Sequence, residues 1–391
     1  MHSVSLHQPS LPSSEDSADN NKFDPLLRIP KMFPFKYIFQ YLNAEDILNL
    51  SEVSKSWYDV TATSQTCMKK LKVCIDFSIV TSKSVTPPTP ANFEIIKSSS
   101  RNYQSIDFSC QHNKGYSEEC LQLIDSHCDS IKEITIREMS EVNVNKFVNM
   151  LLPNLHILKL KGANESSCSQ IFQLCNNLKI LHLDTNYDEY ILNWLYKIPN
   201  LQELKFSNDI FEALFNLDSL DEFPFQLTSF ASLAWKTDVM TEYNFIQFLA
   251  KQAYSLRELK LFHASHNMTE FIYNELERLK VIDIKYFDNC RPPGEIVELL
   301  PKCNEINDMN LHHNVLVAGV RAMIKSAPEL RVLRMKFINQ SVVDFVALFC
   351  KKLRILVYCY DVDRCQEHYK SLTRNSRTEI NKKIIFKCTL N

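Results

Sequence analysis

The sequence predicts an α/β solenoid, with short parallel strands on a concave face and helices on a convex one, preceded by a small all-α module. Three observations carry the prediction: an apolar phrase that recurs along most of the chain, helical spacing of apolar residues between its copies, and a separate amphipathic stretch before the first copy. The phrase is leucine, two residues, leucine, one residue, leucine. It is clearest at Leu155, Leu158, Leu160, at Leu178, Leu181, Leu183 and at Leu256, Leu259, Leu261.

Eleven copies run from Tyr103, Ile106, Phe108 to Leu353, Leu356, Tyr358, and one of them, Leu227, Phe230, Ser232, is degraded. Their first positions are 28, 24, 23, 23, 26, 29, 23, 27, 24 and 23 residues apart. That spacing falls in or near the leucine-rich repeat range of roughly 20 to 29 residues. Residues two apart leave a strand on the same side, so the fourth and sixth phrase positions are predicted inward and the residues around them outward. Between phrases, stretches such as Ser169 to Cys175 and Tyr243 to Ala253 have apolar residues three or four apart, as a helix on the strand layer requires. Three residues before the phrase stands a cysteine (Cys128, Cys175, Cys303, Cys350) or a small or apolar residue (Leu152, Ile198, Ala253, Leu276, Ala327), all predicted buried at the helix end. At the far end, Val362 to Leu372 is predicted as a last helix and Lys382 to Cys388 as a closing strand that hides the terminal apolar face.

Composition narrows the class. A chain of 391 residues with 45% hydrophobic content can bury a large core, and in a solenoid each repeat packs only on its neighbours. No run of about 18 apolar residues is present for a membrane span, and Met1 to Asn20 lacks the apolar centre of a signal peptide. A cytosolic or nuclear location is the expectation. Thirteen cysteines, an odd number in a long chain with no Cys-x-x-Cys pair, read as reduced packing thiols rather than disulfides or zinc ligands. No cofactor and no metal are expected.

Before the repeats, residues 1–22 are rich in Ser, Asp, Asn and Pro and are expected to be disordered. Residues 23–70 form the helical module and 71–391 the repeat domain. In the module, Phe35, Ile38, Phe39 and Leu42 make one helical stripe, and Ile47, Leu48, Leu50, Val53 and Trp57 another. Asn43 to Asp46 supplies the break and a start signal for the second helix. So small a module with apolar residues on more than one side implies a partner, the alternative being a cap that closes the solenoid. Thr81 to Pro90, rich in Pro, Ser and Thr, reads as an exposed linker on which the repeats pivot.

Pro30, Ile38, Phe39, Tyr41, Leu42, Asp46, Ile47, Leu48, Val53, Lys55 and Trp57 resemble the F-box in order and in most spacings. Departures are Ile29 before the proline, an extra residue between Pro30 and Ile38, Pro34 in the expected first helix, Ser54 in place of a cysteine, and Cys67 or Met68 where a second tryptophan often stands. With the repeats, the whole is similar to the F-box/leucine-rich-repeat proteins. The resemblance implies a substrate receptor of a Skp–cullin–F-box ubiquitin ligase. Its F-box would dock a Skp-type adaptor through Pro30, Ile38, Phe39, Leu42, Ile47, Leu48, Val53 and Trp57, and its repeats would hold a target. Catalysis would then come from proximity, with nucleophile and thioester on other subunits. The competing class is a non-catalytic scaffold that binds through its repeats outside any ligase.

Enzyme signatures are not found. Four glycines, at 115, 162, 294 and 319, are too dispersed to cradle a phosphate. Neither His263 with His266 nor His312 with His313 has ligands at finger spacing, and with thirteen cysteines and eleven histidines no nucleophilic pair can be singled out. A net charge of −2 without a basic run argues against nucleic acid. The predicted outward strand positions do hold a basic set, Lys159, Lys161, Lys205, Lys260, Lys285, Arg334 and Lys336, beside the acids Glu133, Glu203, Glu258 and Asp308. Two readings stand: the bases contact an acidic or phosphorylated target, or the columns neutralise each other.

Overall fold

A computed structural model describes residues 35–76, 94, 96–109, 117–137, 152–161, 177–184, 195–196, 198–206, 211, 214–215, 223–232, 238–287, 305–311, 321, 323–325, 327–335, 340–358 and 385–388. They belong to two compact units, one reaching Lys179 and including Asp184–Ile198, the other comprising Ile180–Leu183 and the chain from Pro199. Residues 1–22, Thr81 to Pro90, Ser169 to Cys175 and Val362 to Leu372 lie outside the described residues.

The first unit opens with four helices, α1 (Phe35–Phe39), α2 (Ala44–Val53), α3 (Lys55–Thr63) and α4 (Gln65–Met68). α1 begins one residue after Pro34, so no proline interrupts its ladder. The break read at Asn43 is a full capping box: Asn43 Oδ1 accepts from the Asp46 amide at 2.8 Å, and Asp46 Oδ2 accepts from the Asn43 amide at 3.0 Å. Ser54 caps α3 by accepting from the Trp57 amide, and Ser64 caps α4 by accepting from the Cys67 amide. Phe39, Ile47, Cys67, Met68 and Leu71 form the buried centre, with Phe35, Leu42, Leu48, Leu50 and Trp57 packed around it. The Phe35 ring stacks on Phe39 and meets Trp57 edge-on, both at 5.7 Å. Cys67 and Met68, in the place of the second tryptophan, are thus core residues.

Four parallel strands follow in chain order: β1 (Lys72–Asp76), β2 (Ser105–Ser109), β3 (Glu133–Arg137) and β4 (Ile157–Lys161). β1 is a repeat strand that the phrase did not reveal. Val73 pairs with Ile106 and Ile75 with Phe108, so Lys70 occupies the first phrase position, where every other copy has an apolar residue. Its ammonium instead donates to the carbonyls of Phe39 at 2.9 Å, Gln40 at 2.8 Å and Leu42, satisfying the chain that leaves α1. Only three residues therefore separate α4 from the strand layer, and Thr81 to Pro90 falls in sequence between β1 and β2, not between the modules.

The second unit carries β5 (Ile180–Asp184), β6 (Glu203–Phe206), β7 (Ser229–Ser232), β8 (Glu258–Ala264), β9 (Val281–Phe287), β10 (Asp308–Leu311), β11 (Val332–Met335), β12 (Ile355–Tyr358) and β13 (Ile385–Cys388), again parallel and in order. The predicted closing strand is β13. In both units fourth position aligns with fourth and sixth with sixth, as in Leu204 with Phe230 and Leu259 with Ile282. Leu158, Leu160, Leu181, Leu204, Leu259, Ile282, Met309 and Leu333 are all buried, and full burial of each such side chain contributes roughly 1.5–3 kcal/mol. Entry to β3, β4 and β7 to β12 repeats a device: one carbonyl accepts two successive amides from the next repeat. Thr228 accepts from Arg257 and Glu258, and Asn307 from Arg331 and Val332.

Helices pack on the inward side of this layer: α5 (Ser117–Ser126) in the first unit, and α6 (Val239–Gln252), α7 (His266–Glu275) and α8 (Gln340–Phe349) in the second. α6 starts earlier than its apolar periodicity because Asp238 accepts from the amides of Met240 and Thr241. Phe245 and Phe248 of α6 surround Phe230, with ring centroids 5.4 and 5.6 Å away, and Phe206 lies at 6.1 Å. Aromatic volume thus fills the repeat whose third leucine is the buried Ser232. At the helix ends Leu152, Ile198, Leu276, Ala327 and Cys350 are buried, Cys128 and Ala253 are half-buried, and Cys175 and Cys303 lie outside the described residues. Burial pushes the Cys350 thiol up to about 12.

Among the described residues Cys67, Cys128 and Cys350 are free thiols, no helix is long and apolar enough to cross a membrane, and no cluster of three metal-ligating side chains occurs.

Candidate functional site

The helical module separates its apolar residues into a core and a surface. Phe39 and Ile47 are 2% and 0% exposed, and Leu42, Leu48 and Trp57 are half-buried against them. Ile38 at 43% and Val53 at 58% face outward. The residues read as one docking set therefore divide into supports (Phe39, Ile47, Leu42, Leu48, Trp57) and surface groups (Ile38, Val53), while Pro30 lies outside the described residues. Two further side chains join the surface, Tyr37 at 57% and Tyr41 at 82% exposure. Tyr37 was not singled out by the sequence reading, although 37 and 41 are four apart and out of phase with the core stripe at 35, 39 and 42. Four large apolar groups on so small a module are an apolar surface of the kind that marks protein contacts.

The outward strand positions carry the second feature. In the first unit Lys159 Nζ lies 2.8 Å from Glu133 Oε1, Lys72 Nζ is 3.8 Å from Glu133 and 3.2 Å from Asp107, and Arg137 Nη2 is 3.1 Å from Asp107. The five groups form one alternating chain across four strands. Lys72 could not enter a charge column read from the sequence because its strand was not recognised. Burial raises the Glu133 carboxyl, but Lys159 and Lys72 outweigh it and hold the group below the usual carboxylate range.

In the second unit Lys260 pairs with Glu258, Arg334 pairs with Asp308, and His182 Nε2 lies 2.7 Å from Glu203 Oε1. Glu203 thus meets the histidine of the preceding strand. Lys285 Nζ stands 5.1 Å from the centroid of the Phe262 ring. Of the seven bases in the predicted set, Lys159, Lys260 and Arg334 are engaged by acids and Lys285 by an aromatic face. Lys161 and Lys205 are exposed, and Lys336 lies outside the described residues. Exposed pairs of this kind contribute only about 0–1 kcal/mol each, yet an incoming anion has to compete with the resident carboxylates.

The two features meet comparisons with known proteins unequally. Residues 37–69 match the F-box-like family. They span α1 to α4 from the exposed Tyr37 to Lys69. No curated protein sequence matches the chain. Among solved structures, InlP of Listeria monocytogenes is 11% identical over 61% of this chain and 58% of its own, with a TM-score of 0.28. The Toll–Spatzle complex of Drosophila gives 12% identity over 73% and 47%, with a TM-score of 0.36. The leucine-rich repeat domain of APL1B gives 13% identity over 69% and 85%, with a TM-score of 0.27. The chain thus spans little more than half of InlP and about half of the Toll–Spatzle chain. At these scores the superpositions are loose, so the repeat architecture rests on the phrase spacing and the in-register parallel strands themselves. The chain thus joins an F-box-like module at residues 37–69 directly to a parallel-strand array of leucine-rich-repeat type, an organisation similar to that of F-box/leucine-rich-repeat proteins.

Proposed function

We propose that the chain is the substrate-recognition subunit of a Skp–cullin–F-box ubiquitin ligase, its module docking a Skp-type adaptor and its repeats holding the target. One observation carries the reading: the F-box-like match at residues 37–69 coincides with the exposed apolar surface of Tyr37, Ile38, Tyr41 and Val53. A fold that needed only to cap its first repeat would leave no such surface exposed. Within this reading Ile38 and Val53 touch the adaptor, and Phe39, Leu42, Ile47, Leu48 and Trp57 hold the face in shape.

The chain then makes no bond itself. It raises the local concentration of a target lysine at a thioester carried by other subunits. Lys161 and Lys205, with Lys159, Lys260, Lys285, Arg334 and Lys336, are the proposed contacts for an acidic or phosphorylated target segment. The assembly works in cytosol or nucleus and uses no cofactor of its own.

The test is affinity purification of the full chain and of a variant lacking residues 23–70, followed by identification of co-purifying proteins. Adaptor and cullin are expected with the full chain and absent with the deletion. Retention of the adaptor by the deletion overturns the reading, and repeats that capture a partner without adaptor or cullin indicate a scaffold.

A further inference from the structure

Arg101, which precedes β2, reaches back about fifty positions in sequence to the helical module. Its Nη2 donates to Ser51 Oγ on α2 at 2.7 Å, and its guanidinium lies 5.0 Å from the centroid of the Tyr58 ring on α3. The Ser51 hydroxyl passes the contact on by donating to the Leu48 carbonyl at 2.6 Å. Beside it the Tyr58 hydroxyl is 3.3 Å from Ser99 Oγ, and the Asn102 amide donates to the Ala62 carbonyl at 3.5 Å. The Arg101 Nε is buried without a partner, a cost that an aliphatic side chain would not carry.

A side chain kept only to fill space has no need of a charged fork. A planar guanidinium that hydrogen-bonds one helix and stacks on the next fixes both at once, and a lysine does not reproduce that geometry.

We propose that Arg101 is a positioning residue: it locks the F-box-like module to the first repeats, so that strands β1 to β4 are carried at one orientation relative to the adaptor-docking surface. The lock replaces the pivot expected at Thr81 to Pro90, since the module is held from both sides, by the short join into β1 and by the return of the chain at Ser99–Asn102. The consequence for ubiquitin transfer rests on the receptor reading above; the lock itself does not. If the receptor reading holds, loosening Arg101 lowers transfer to a captured target while leaving adaptor capture intact, because proximity catalysis depends on presentation as well as on binding.

The deciding experiment measures orientation directly, on the full chain without adaptor or target. Spin labels are placed at the exposed Glu45 on α2 and Lys161 on β4 through a non-canonical amino acid, which leaves the thirteen cysteines untouched. Wild type is expected to give one narrow distance distribution by double electron–electron resonance, and Arg101→Ala a broad one with unchanged far-ultraviolet circular dichroism. Ser51→Ala, a milder change that removes the acceptor and keeps Arg101 and Tyr58, broadens it in the same direction. Identical distributions in wild type and both variants overturn the proposal. Broadening accompanied by loss of helical signal overturns it too, because Arg101 would then hold the module's fold and not its orientation.

Discussion

Lys159 Nζ lies 2.8 Å from Glu133 Oε1 on the neighbouring strand, and Lys72 approaches the same carboxylate from β1. The charged strand face is therefore a built network and not a row of idle bases. Glu133 is the member whose protonation is linked to folding, because burial raises its carboxyl and the two lysines pull it lower still. A carboxylate held low in the folded state contributes stability that is fully present above its unfolded value and lost as the pH falls through its folded value.

The expected outcome follows from that sign. Denaturant unfolding should show Glu133→Gln less stable than wild type at pH 7, with the gap shrinking once the pH falls below about 4.3, the ordinary glutamate range. A gap that stays constant down to pH 3 would mean that the network does not couple to folding.

The strand register makes a second prediction. Leu181 is buried at the fourth phrase position, while His182, one residue on, is half-buried and paired with Glu203 at 2.7 Å. Leu181→Asp is expected to cost more than about 3 kcal/mol, the cost of an uncompensated buried charge. His182→Gln is expected to stay within about 1 kcal/mol of wild type, the scale of an exposed pair. Thermal melts of the two variants decide it, and equal destabilisation would place the strand one residue out of register.

Lys70 supplies a third. Its ammonium donates to three carbonyls at the end of α1, and replacing it by methionine keeps most of the aliphatic stem while removing every donor. Each carbonyl left short of a partner costs on the order of 1 kcal/mol, tempered by access to water. Lys70→Met should therefore unfold at a denaturant concentration measurably below wild type, and Lys69→Met, at the exposed neighbour, should not.

Lys70 also shows why part of the fold was not legible in the sequence. The repeat phrase is a hydrophobic signal, and β1 satisfies it only at Val73 and Ile75, because the first position had been taken by a polar task between distant segments. A period-two or period-three-and-a-half pattern registers burial, so it found the other repeat strands, the Asn43 break and the closing strand. It does not register which carbonyl a lysine thirty residues away must satisfy. The degraded copy at Leu227 was still recognisable because Phe230 and the α6 rings supply the volume that Ser232 lacks. For the module, the motif text located the residues but not their direction: Phe39 and Ile38 are adjacent letters, and only the packing of Phe35 and Trp57 decides that one is core and the other surface. The charge columns were half legible. Lys260 with Glu258 is a same-strand pair visible at a spacing of two, whereas the Lys72 contacts needed a strand the sequence did not announce.

The division of the module into core and surface gives the sharpest test of adaptor docking. Ile38→Asp, Tyr41→Ala and Val53→Asp alter side chains that are 43%, 82% and 58% exposed, so their effect on the fold should be small, within about 0.5 kcal/mol. If these groups meet an adaptor, each loss should weaken its capture by roughly tenfold or more, since a buried aromatic or aliphatic anchor at an interface is worth about 1–2 kcal/mol or above. Ile47→Asp is the contrasting control: Ile47 is fully buried in the module's centre, and its replacement should abolish capture together with the module's thermal transition. The measurement is titration of purified Skp-type adaptor into each variant, with melts recorded in parallel. Surface variants that keep wild-type affinity, beside an Ile47→Asp that loses it, would show that the module must fold for docking but that the adaptor meets a different face.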